Sequence, residues 1–236
     1  MLPIDPCNDA EAETLPAHAP AAPSPERPAR ATHIPLLFID DHLLIADKPA
    51  DLLSVPGRGE AGLNNLASHV QAQYPDAQVV HRLDMATSGL MMMARGAEMQ
   101  RRLSAAFAQR AVAKRYTAIV EGVLREDAGE IVAPLAADWP NRPRQIVDLV
   151  AGKPSFTRWQ VLERGDGWTR LSLEPVTGRS HQLRVHLQYI GHPIRGDDLY
   201  AAHPLRAARL MLHATALRLA HPATSELIAF HSVVPF

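Results

Sequence analysis

The chain has 236 residues, of which 47% are hydrophobic and 21% charged, and its net charge at pH 7 is −1. These values are ordinary for a globular protein and exclude a chain that is strongly basic or disordered throughout. No apolar run approaches the length of a membrane span, no secretory signal is apparent, and the single cysteine, Cys7, excludes an internal disulfide and a cysteine-cluster metal site. The cytoplasm is therefore the expected location.

The N-terminal segment differs in composition from the rest of the chain. Residues 1–32 contain seven prolines and many alanines, without a periodic apolar pattern. Residues 1–30 carry a net charge of −3, which leaves the remaining 206 residues at +2. We predict a disordered Pro/Ala-rich tail over residues 1–32 and one folded domain over residues 33–236.

The folded part is predicted to begin with a strand pair and a helix. Two short apolar runs, residues 34–39 and 43–46, are separated by Asp-Asp-His, which indicates strand, turn and strand. Apolar residues at helical spacing over residues 63–73 predict the first helix.

The stretch over residues 81–94, H-R-L-D-M-A-T-S-G-L-M-M-M-A, is the most informative in the chain. Thr-Ser-Gly predicts a tight turn, and the apolar run after it predicts a short buried strand. A charged residue just before a buried strand is unfavourable unless it is compensated, so Asp84 needs a partner, and Arg82 is the first candidate. The alternative is that Asp84 only caps the turn.

An amphipathic helix over residues 97–109 and a strand over residues 113–122 are predicted next. Residues 95–115 hold six basic side chains against one acid, a cluster that could follow a phosphate backbone or form a solvated helix face.

Beyond residue 128 we predict a strand over residues 129–135, a hairpin over residues 156–174 and a strand over residues 210–214. The loop D-W-P-N-R-P-R-Q over residues 138–145 combines prolines, basic residues and an aromatic ring, which suits RNA contact but is also common in ordinary surface loops.

One further helix is expected between Ser180 as N-cap and Gly191 as C-terminal stop. His181 and Arg184 are three residues apart and would share one face of it. His181 and His186 are five apart, which is wrong for a helical zinc pair, and no carboxylate accompanies them. We predict no metal site.

Three motifs occur in the same order as in a known family. H-R-L-D-M-A-T-S-G-L, K-R-Y-T-A-I-V-E-G and G-R-S-H-Q-L-R-V-H resemble the motifs of the RluA family of pseudouridine synthases, and the resemblance covers residues 36–236. It implies an α+β fold with a bent, mainly antiparallel sheet, flanking helices and a central cleft. It also implies conversion of uridine to pseudouridine within RNA, an isomerisation that needs neither cofactor nor metal. Asp51 stands where the family usually has Gly, which puts the local turn in question.

The resemblance assigns roles to individual residues. Asp84 is the expected catalytic carboxylate, and Arg184 is its expected ion-pair partner. Tyr116 is expected to stack on the target base, with removal of the C5 proton in the last step as a second role. Arg82 is expected to fill the space left by a flipped-out base, with help from His81. The expected RNA-binding set is Arg82, His81, Arg142, Arg144, Arg179 and His181.

The expected partner is structured RNA. Thirty Pro-rich residues are too few for the small RNA-binding module that often precedes this domain, and the W-P-N-R-P loop resembles that of the family member acting on both ribosomal and transfer RNA. The predicted substrates are a 23S rRNA stem-loop and the anticodon stem-loop of certain tRNAs, bound by a monomer. The alternatives are action on one RNA class, a non-catalytic RNA-binding protein, and a glycosidase that pairs Asp84 with Glu174.

Overall fold

One large mixed sheet dominates the protein, which a computed structural model describes over residues 34–203 and 207–236. The predicted tail over residues 1–32 lies outside the described residues. The strands are β1 Leu36–Ile39, β2 Leu43–Lys48, β3 Ala77–Val79, β4 Ser88–Arg95, β5 Ala113–Glu121, β6 Ala128–Val132, β7 Leu135–Ala137, β8 Gln145–Val147, β9 Phe156–Gly165, β10 Trp168–Pro175, β11 Leu212–Ala220 and β12 Leu227–His231. The helices are α1 Leu66–Gln71, α2 Gly96–Ala108 and α3 Gln182–Tyr189, with a 3-10 turn at Glu60–Leu63.

Ten strands form the large sheet, in the order β1-β2-β4-β11-β5-β10-β9-β6, with β3 on β4 and β12 on β11. The described strand pairs are antiparallel except for β4 and β11. The strands β7 and β8 form a separate hairpin, which packs on α3 through Leu135 and Val185. The predicted α+β fold with a mainly antiparallel sheet is confirmed.

The parallel contact between β4 and β11 depends on a glycine. Gly89 has a φ of 110°, and a Cβ built on it would lie 2.4 Å from the carbonyl oxygen of Ala214. Only a residue without a side chain allows two backbones to approach this closely at a positive φ. The tight turn predicted at Thr-Ser-Gly is therefore wrong in its position: the chain turns just before it, and Gly89 lies inside β4, where it fixes the pairing with a strand more than a hundred residues later.

The apolar run of β4 is explained by burial on both faces of the sheet. Leu90 and Met92 pack in one core cluster beneath α2, whereas Met91 and Met93 pack in another beneath α1. A strand covered on both sides shows a continuous apolar run rather than an alternating one. The third core cluster lies between β5, β10 and α3 and surrounds Leu171 and Leu173.

Most predicted elements are present, with corrections at their ends. The helix expected over residues 63–73 is shorter, because Asn65 caps it by accepting a hydrogen bond from the Ser68 amide. The strand expected over residues 129–135 is divided into β6 and β7, since Pro134 has no amide hydrogen to continue a ladder. Asp51 adopts a φ of 60°, so it provides the left-handed turn for which a glycine was expected.

The prediction that Ser180 caps α3 is wrong. His181 occupies the N-cap position in a left-handed conformation with a φ of 52°, and it makes no side-chain capping bond. The side chain of Gln182 folds back instead, and its Oε1 accepts hydrogen bonds from the Arg179 amide and the Thr177 hydroxyl. Gly191 follows the C-cap with a φ of 83°, as expected for a helix stop.

No helix in the described parts of the chain is long and apolar enough to cross a membrane. Within residues 34–203 and 207–236, no group of three or more His, Cys, Asp or Glu side chains could hold a metal ion. His186 is buried, and its ring nitrogens contact the Thr157 hydroxyl and the Ala133 carbonyl.

Candidate functional site

A cleft of about 480 Å³ opens at the middle of the large sheet, between the start of β4, the strand β5 and the start of α3. Its volume is in the range of small-molecule and nucleotide pockets. One carboxylate, Asp84, lines it. Five arginine or lysine side chains do so as well: Arg82, Arg110, Lys114, Arg179 and Arg184. Among the described residues that line the cleft, positively charged side chains therefore outnumber negatively charged ones, although the chain as a whole is nearly neutral.

The loop that carries Asp84 is held by Lys48, the last residue of β2, and by Ser54 in the segment that follows. The Ser54 hydroxyl donates to the Leu83 carbonyl at 2.7 Å and accepts from the Leu83 amide at 3.0 Å. Nζ of Lys48 donates to the carbonyls of Leu52 at 2.7 Å and Met85 at 2.9 Å. These bonds fix the backbone on both sides of Asp84 and so aim its carboxylate, which remains 27% exposed, into the cleft.

Lys48, whose side chain supports this loop, is fully buried. Burial lowers its pKa to about 7, although the nearby carboxylates of Asp84 and Asp51 act in the opposite direction. Sequence reasoning did not assign Lys48 a role. The available signal was a lysine at the end of a buried strand, which requires hydrogen-bond acceptors around its ammonium group.

Arg184 lies beside Asp84 but makes its strongest contacts elsewhere. Its Nη1 is 3.7 Å from Oδ2 of Asp84, an ion pair without a hydrogen bond. Its Nε and Nη2 form a bidentate pair with the fully buried Asp197, at 2.7 Å for each bond, and Nη2 also contacts Asp198 at 3.2 Å. Burial lowers the pKa of Arg184, but the hydrogen bonds to Asp197 outweigh it and the net shift is upward. Asp197 therefore orients the guanidinium that faces Asp84.

A hydrogen-bond chain connects the cleft to the β7–β8 hairpin. Nε2 of His181 is 3.9 Å from Oδ1 of Asp84, and Nδ1 is 2.7 Å from the Tyr200 hydroxyl. Tyr200 in turn accepts a hydrogen bond from the Gln145 amide at 2.8 Å. Burial lowers the pKa of His181, so the imidazole is neutral near pH 7. Because the carboxylate of Asp84 favours a proton on the ring nitrogen that faces it, the neutral imidazole carries its proton on Nε2, and Nδ1 accepts the hydrogen bond from the Tyr200 hydroxyl.

Tyr116 lies on β5 and lines the same cleft. Burial and the negative charge of Asp84 raise the pKa of its phenol far above the ordinary value of 10.0. The ring is therefore a neutral surface at physiological pH. The structure brings Asp84, Tyr116, Arg184 and His181 together in one cleft.

His81 and Arg82 form a second part of the cleft wall. Nε2 of His81 accepts a hydrogen bond from the Met92 amide at 2.9 Å, and its ring stacks on Phe107 with the centroids 4.4 Å apart. Burial, with a contribution from Lys114, lowers the pKa of His81 to about 3, so it is not a cation. Arg82 is exposed, and among the described residues no carboxylate forms an ion pair with it. The alternative of a simple Arg82–Asp84 salt bridge finds no support.

The predicted RNA-binding residues divide into two groups. Arg179 and His181 line the cleft, whereas Arg142 and Arg144 lie on the loop between β7 and β8 and do not. Arg142 lies over the ring of Trp139, which is 68% exposed, with its guanidinium 3.4 Å from the ring centroid. Arg144 approaches the ring of Tyr200 at 5.4 Å. This loop presents a cationic, aromatic surface separate from the cleft.

Glu174, the acid partner that a glycosidase would need, lies outside the cleft. It pairs with Arg158 at 3.6 Å and lines a second cavity. Sequence reasoning missed Lys48, Asp197 and Tyr200. The G-D-D-L-Y segment contains two of them, and a buried arginine in α3 implied a carboxylate there.

Comparisons with known proteins find sequence similarity over most of the chain. The family model described as RNA pseudouridylate synthase matches residues 42–189. The chain is 46% identical over 199 residues to the dual-specificity RNA pseudouridine synthase RluA of Vibrio cholerae serotype O1, covering 83% of this chain and 80% of that protein. It is 43% identical over 212 residues to the protein of the same name from Escherichia coli K12, covering 89% of this chain and 97% of that protein.

A solved structure extends the likeness to the fold. The chain superposes on human RNA pseudouridylate synthase domain containing 1 with a TM-score of 0.75 and 28% sequence identity, covering 89% of this chain and 87% of the human one.

Proposed function

The chain belongs to the RNA pseudouridylate synthase family and is an isomerase that acts on RNA, and on that premise we propose two substrates for it, a 23S rRNA stem-loop and the anticodon stem-loop of certain tRNAs. The observation that carries the proposal is one carboxylate, Asp84, among five cations in a cleft the size of a nucleotide pocket. The proposal of two substrates is supported by relatives named dual-specificity RNA pseudouridine synthase, which are 42–48% identical to this chain over most of its length.

We assign the first step to Asp84. The N-glycosidic bond of the target uridine must break, the uracil must rotate, and its C5 must bond to C1′ of the ribose. An ionised carboxylate can attack as a nucleophile or promote formation of a glycal, and both routes remain open. The nearby Arg184 guanidinium favours the ionised form of such a group. Because the reaction includes neither redox chemistry nor transfer to a second molecule, it requires no cofactor.

We assign Tyr116 the role of holding the base by stacking. Removal of the C5 proton at the end of the reaction is the other candidate role. Its raised pKa argues for stacking, since a phenol kept neutral is a poor base at physiological pH but retains its flat apolar surface.

A uridine in a stem-loop reaches the cleft only if its base is flipped out of the stack. Arg82 is exposed beside Asp84 and has no ion-pair partner among the described residues, so its side chain is free to fill the vacated space. Arg142 and Trp139 on the hairpin loop provide a cationic stacking surface for unpaired nucleotides further along the RNA. We also propose that the protein is a cytoplasmic monomer, and the monomer is supported by Asp84, Tyr116 and Arg184 lining one cleft of a single copy.

The test uses RNA from a strain that lacks this protein, mapped by reverse-transcription stops after carbodiimide treatment. The strain is complemented with the wild type, with Asp84→Asn, and with Asp166→Ala as a control in an exposed turn. Loss of one site in 23S rRNA and one in tRNA anticodon loops, restored by the wild type and the control but not by Asp84→Asn, is the expected result.

Other outcomes of this experiment separate the alternatives. Loss in a single RNA class would remove the dual assignment and keep the enzyme. Restoration of both sites by Asp84→Asn would remove Asp84 from its catalytic role. If no site changes, the proposed substrates are wrong.

A further inference from the structure

Two cations of the cleft take no part in the chemistry assigned so far. Arg110 follows α2, and Lys114 lies near the start of β5. Neither has a carboxylate within ion-pairing distance in residues 34–203 and 207–236. The charge of Arg110 lies close enough to lower the pKa of Lys114, in addition to the larger effect of burial. Two cations that line one cleft, with no carboxylate of the described residues to pair with them, form an anion-binding environment.

Lys114 is aimed into the cleft by the register of β5. It lies two residues before Tyr116, and alternate residues of a strand share one face at a separation of about 7 Å. A base stacked on Tyr116 would therefore place the sugar–phosphate backbone of its own strand near Lys114. Nζ of Lys114 is 3.5 Å from the position that a Cβ would take at Gly178, which brings it against the turn that carries Arg179.

Arg110 occupies a position where the backbone favours glycine. It directly follows Gln109, the C-cap of α2, and has a φ of 61°. Glycine is usual at this position because a side chain in the left-handed region is strained. Strain that persists beside a cleft is an indication of function, and here it places a guanidinium at the rim.

We propose that Arg110 and Lys114 form a subsite for an RNA phosphodiester next to the flipped uridine. The subsite rests on the proposed function, because its ligand is the backbone of that RNA. The phosphate serves as the counter-ion of Arg110 and Lys114. It thereby fixes the position of the RNA strand relative to the base held by Tyr116. Such contacts position RNA without reading its sequence.

The test measures the salt dependence of RNA binding by filter retention, with a stem-loop RNA and with Asp84→Asn present in all proteins so that no turnover occurs. Each phosphate contact with single-stranded RNA contributes about 0.7 to the slope of log K against log salt concentration. Lys114→Gln and Arg110→Gly should each reduce the slope by about 0.7 and weaken binding about tenfold. Lys114→Arg should restore both values.

The variant Arg110→Gly also separates an effect on RNA binding from an effect on the stability of the fold. Glycine relieves the left-handed strain, so this variant should unfold at a higher temperature than the parent while it binds RNA more weakly. Arg218→Gln is the matched control, since Arg218 pairs with Ala113 and so lies on the opposite face of the sheet from Lys114. It should leave the slope unchanged.

An unchanged slope in Lys114→Gln and Arg110→Gly, with normal binding by the parent protein, would overturn the subsite and leave the enzyme assignment intact. An equal loss in Arg218→Gln would show a general charge effect and would also overturn it. Absence of RNA binding by the parent protein would instead count against the proposed function itself.

Discussion

The hydroxyl of Tyr200 lies 2.7 Å from Nδ1 of His181, and this contact joins the wall of the central cleft to the hairpin that carries Trp139 and Arg142. His181 is the left-handed N-cap of α3, so its ring is not fixed by helical backbone geometry. The tyrosine determines which way the imidazole points. The loop between β7 and β8 and the carboxylate of Asp84 are thereby connected through two side chains.

Tyr200→Phe removes this hydrogen bond and keeps the packing of the ring against Leu135 and Val185. We expect kcat to fall about tenfold, the effect of roughly 1.4 kcal/mol, with little change in KM. The pKa of His181 should rise, since the hydroxyl stabilises the neutral imidazole. NMR titration and the pH profile of single-turnover kcat measure both effects. Tyr189→Phe, at an exposed position of α3, is the control. An unchanged pH profile would show that Tyr200 has only a packing role.

Asp197→Asn leaves the guanidinium of Arg184 buried without its bidentate partner. Breaking one side of a buried ion pair lowers the free energy of unfolding by about 3–5 kcal/mol. Asp198→Asn is the matched variant, because this carboxylate contacts the same arginine but its side chain is 70% exposed. Asp198→Asn should lower the free energy of unfolding by less than about 1 kcal/mol. Urea unfolding of the two variants gives the comparison, and similar losses would contradict the dominant role of Asp197.

Buried histidines predict a loss of stability in mild acid. The pKa of His81 is about 3 in the folded protein against an ordinary 6.5, and burial also lowers the pKa values of His186 and His213. Between pH 6.5 and about 3 the unfolded chain binds a proton at His81 that the folded chain does not. The contribution of the neutral histidine to the free energy of unfolding is therefore complete above pH 6.5. It falls as the pH decreases, by about 1.4 kcal/mol per pH unit for each histidine that only the unfolded chain protonates.

Chemical unfolding at a series of pH values measures this slope. His81→Gln keeps an acceptor for the Met92 amide but cannot titrate. The slope of its unfolding free energy against pH should therefore be smaller by the contribution of one proton, about 1.4 kcal/mol per pH unit. A slope that does not change in His81→Gln would show that other groups cause the acid sensitivity.

Gly89→Ala tests the parallel contact at the centre of the sheet. The Cβ of an alanine would lie 2.4 Å from a backbone oxygen of β11, and the backbone at this position has a φ of 110°. The two strands must therefore separate, and we expect the free energy of unfolding to fall by about 3 kcal/mol or more. Gly96→Ala provides the control, since Gly96 also has a positive φ, 74°, but its Cβ would meet no atom within 4 Å. That variant should lose only about 1–2 kcal/mol. Equal losses in thermal unfolding would mean that backbone strain, rather than strand contact, explains Gly89.

Local elements and the motif residues could be predicted from the sequence. The helix α2 and the hairpin β9–β10 follow from hydrophobic period and turn residues, which act over a few positions. Asp84, Tyr116 and Arg184 follow from a resemblance to motifs, and the structure brings the three into one cleft. The catalytic roles of these residues are still predictions.

Other features were decided only when the chain folded. Lys48 reaches the Met85 carbonyl across 37 positions, and Asp197 binds Arg184 across 13. Local sequence indicates that a buried lysine or arginine needs a partner but does not identify that partner, because the free energy of such pairs arises from burial after the sheet has formed. The same holds for the cap of α3, where the side chain of Gln182 rather than Ser180 satisfies the preceding backbone. The sequence by itself predicted the helix α2, the buried strand β4 and the motif carboxylate Asp84, whereas the tertiary structure decided which buried partners hold the loop of that carboxylate and its neighbouring arginine in place.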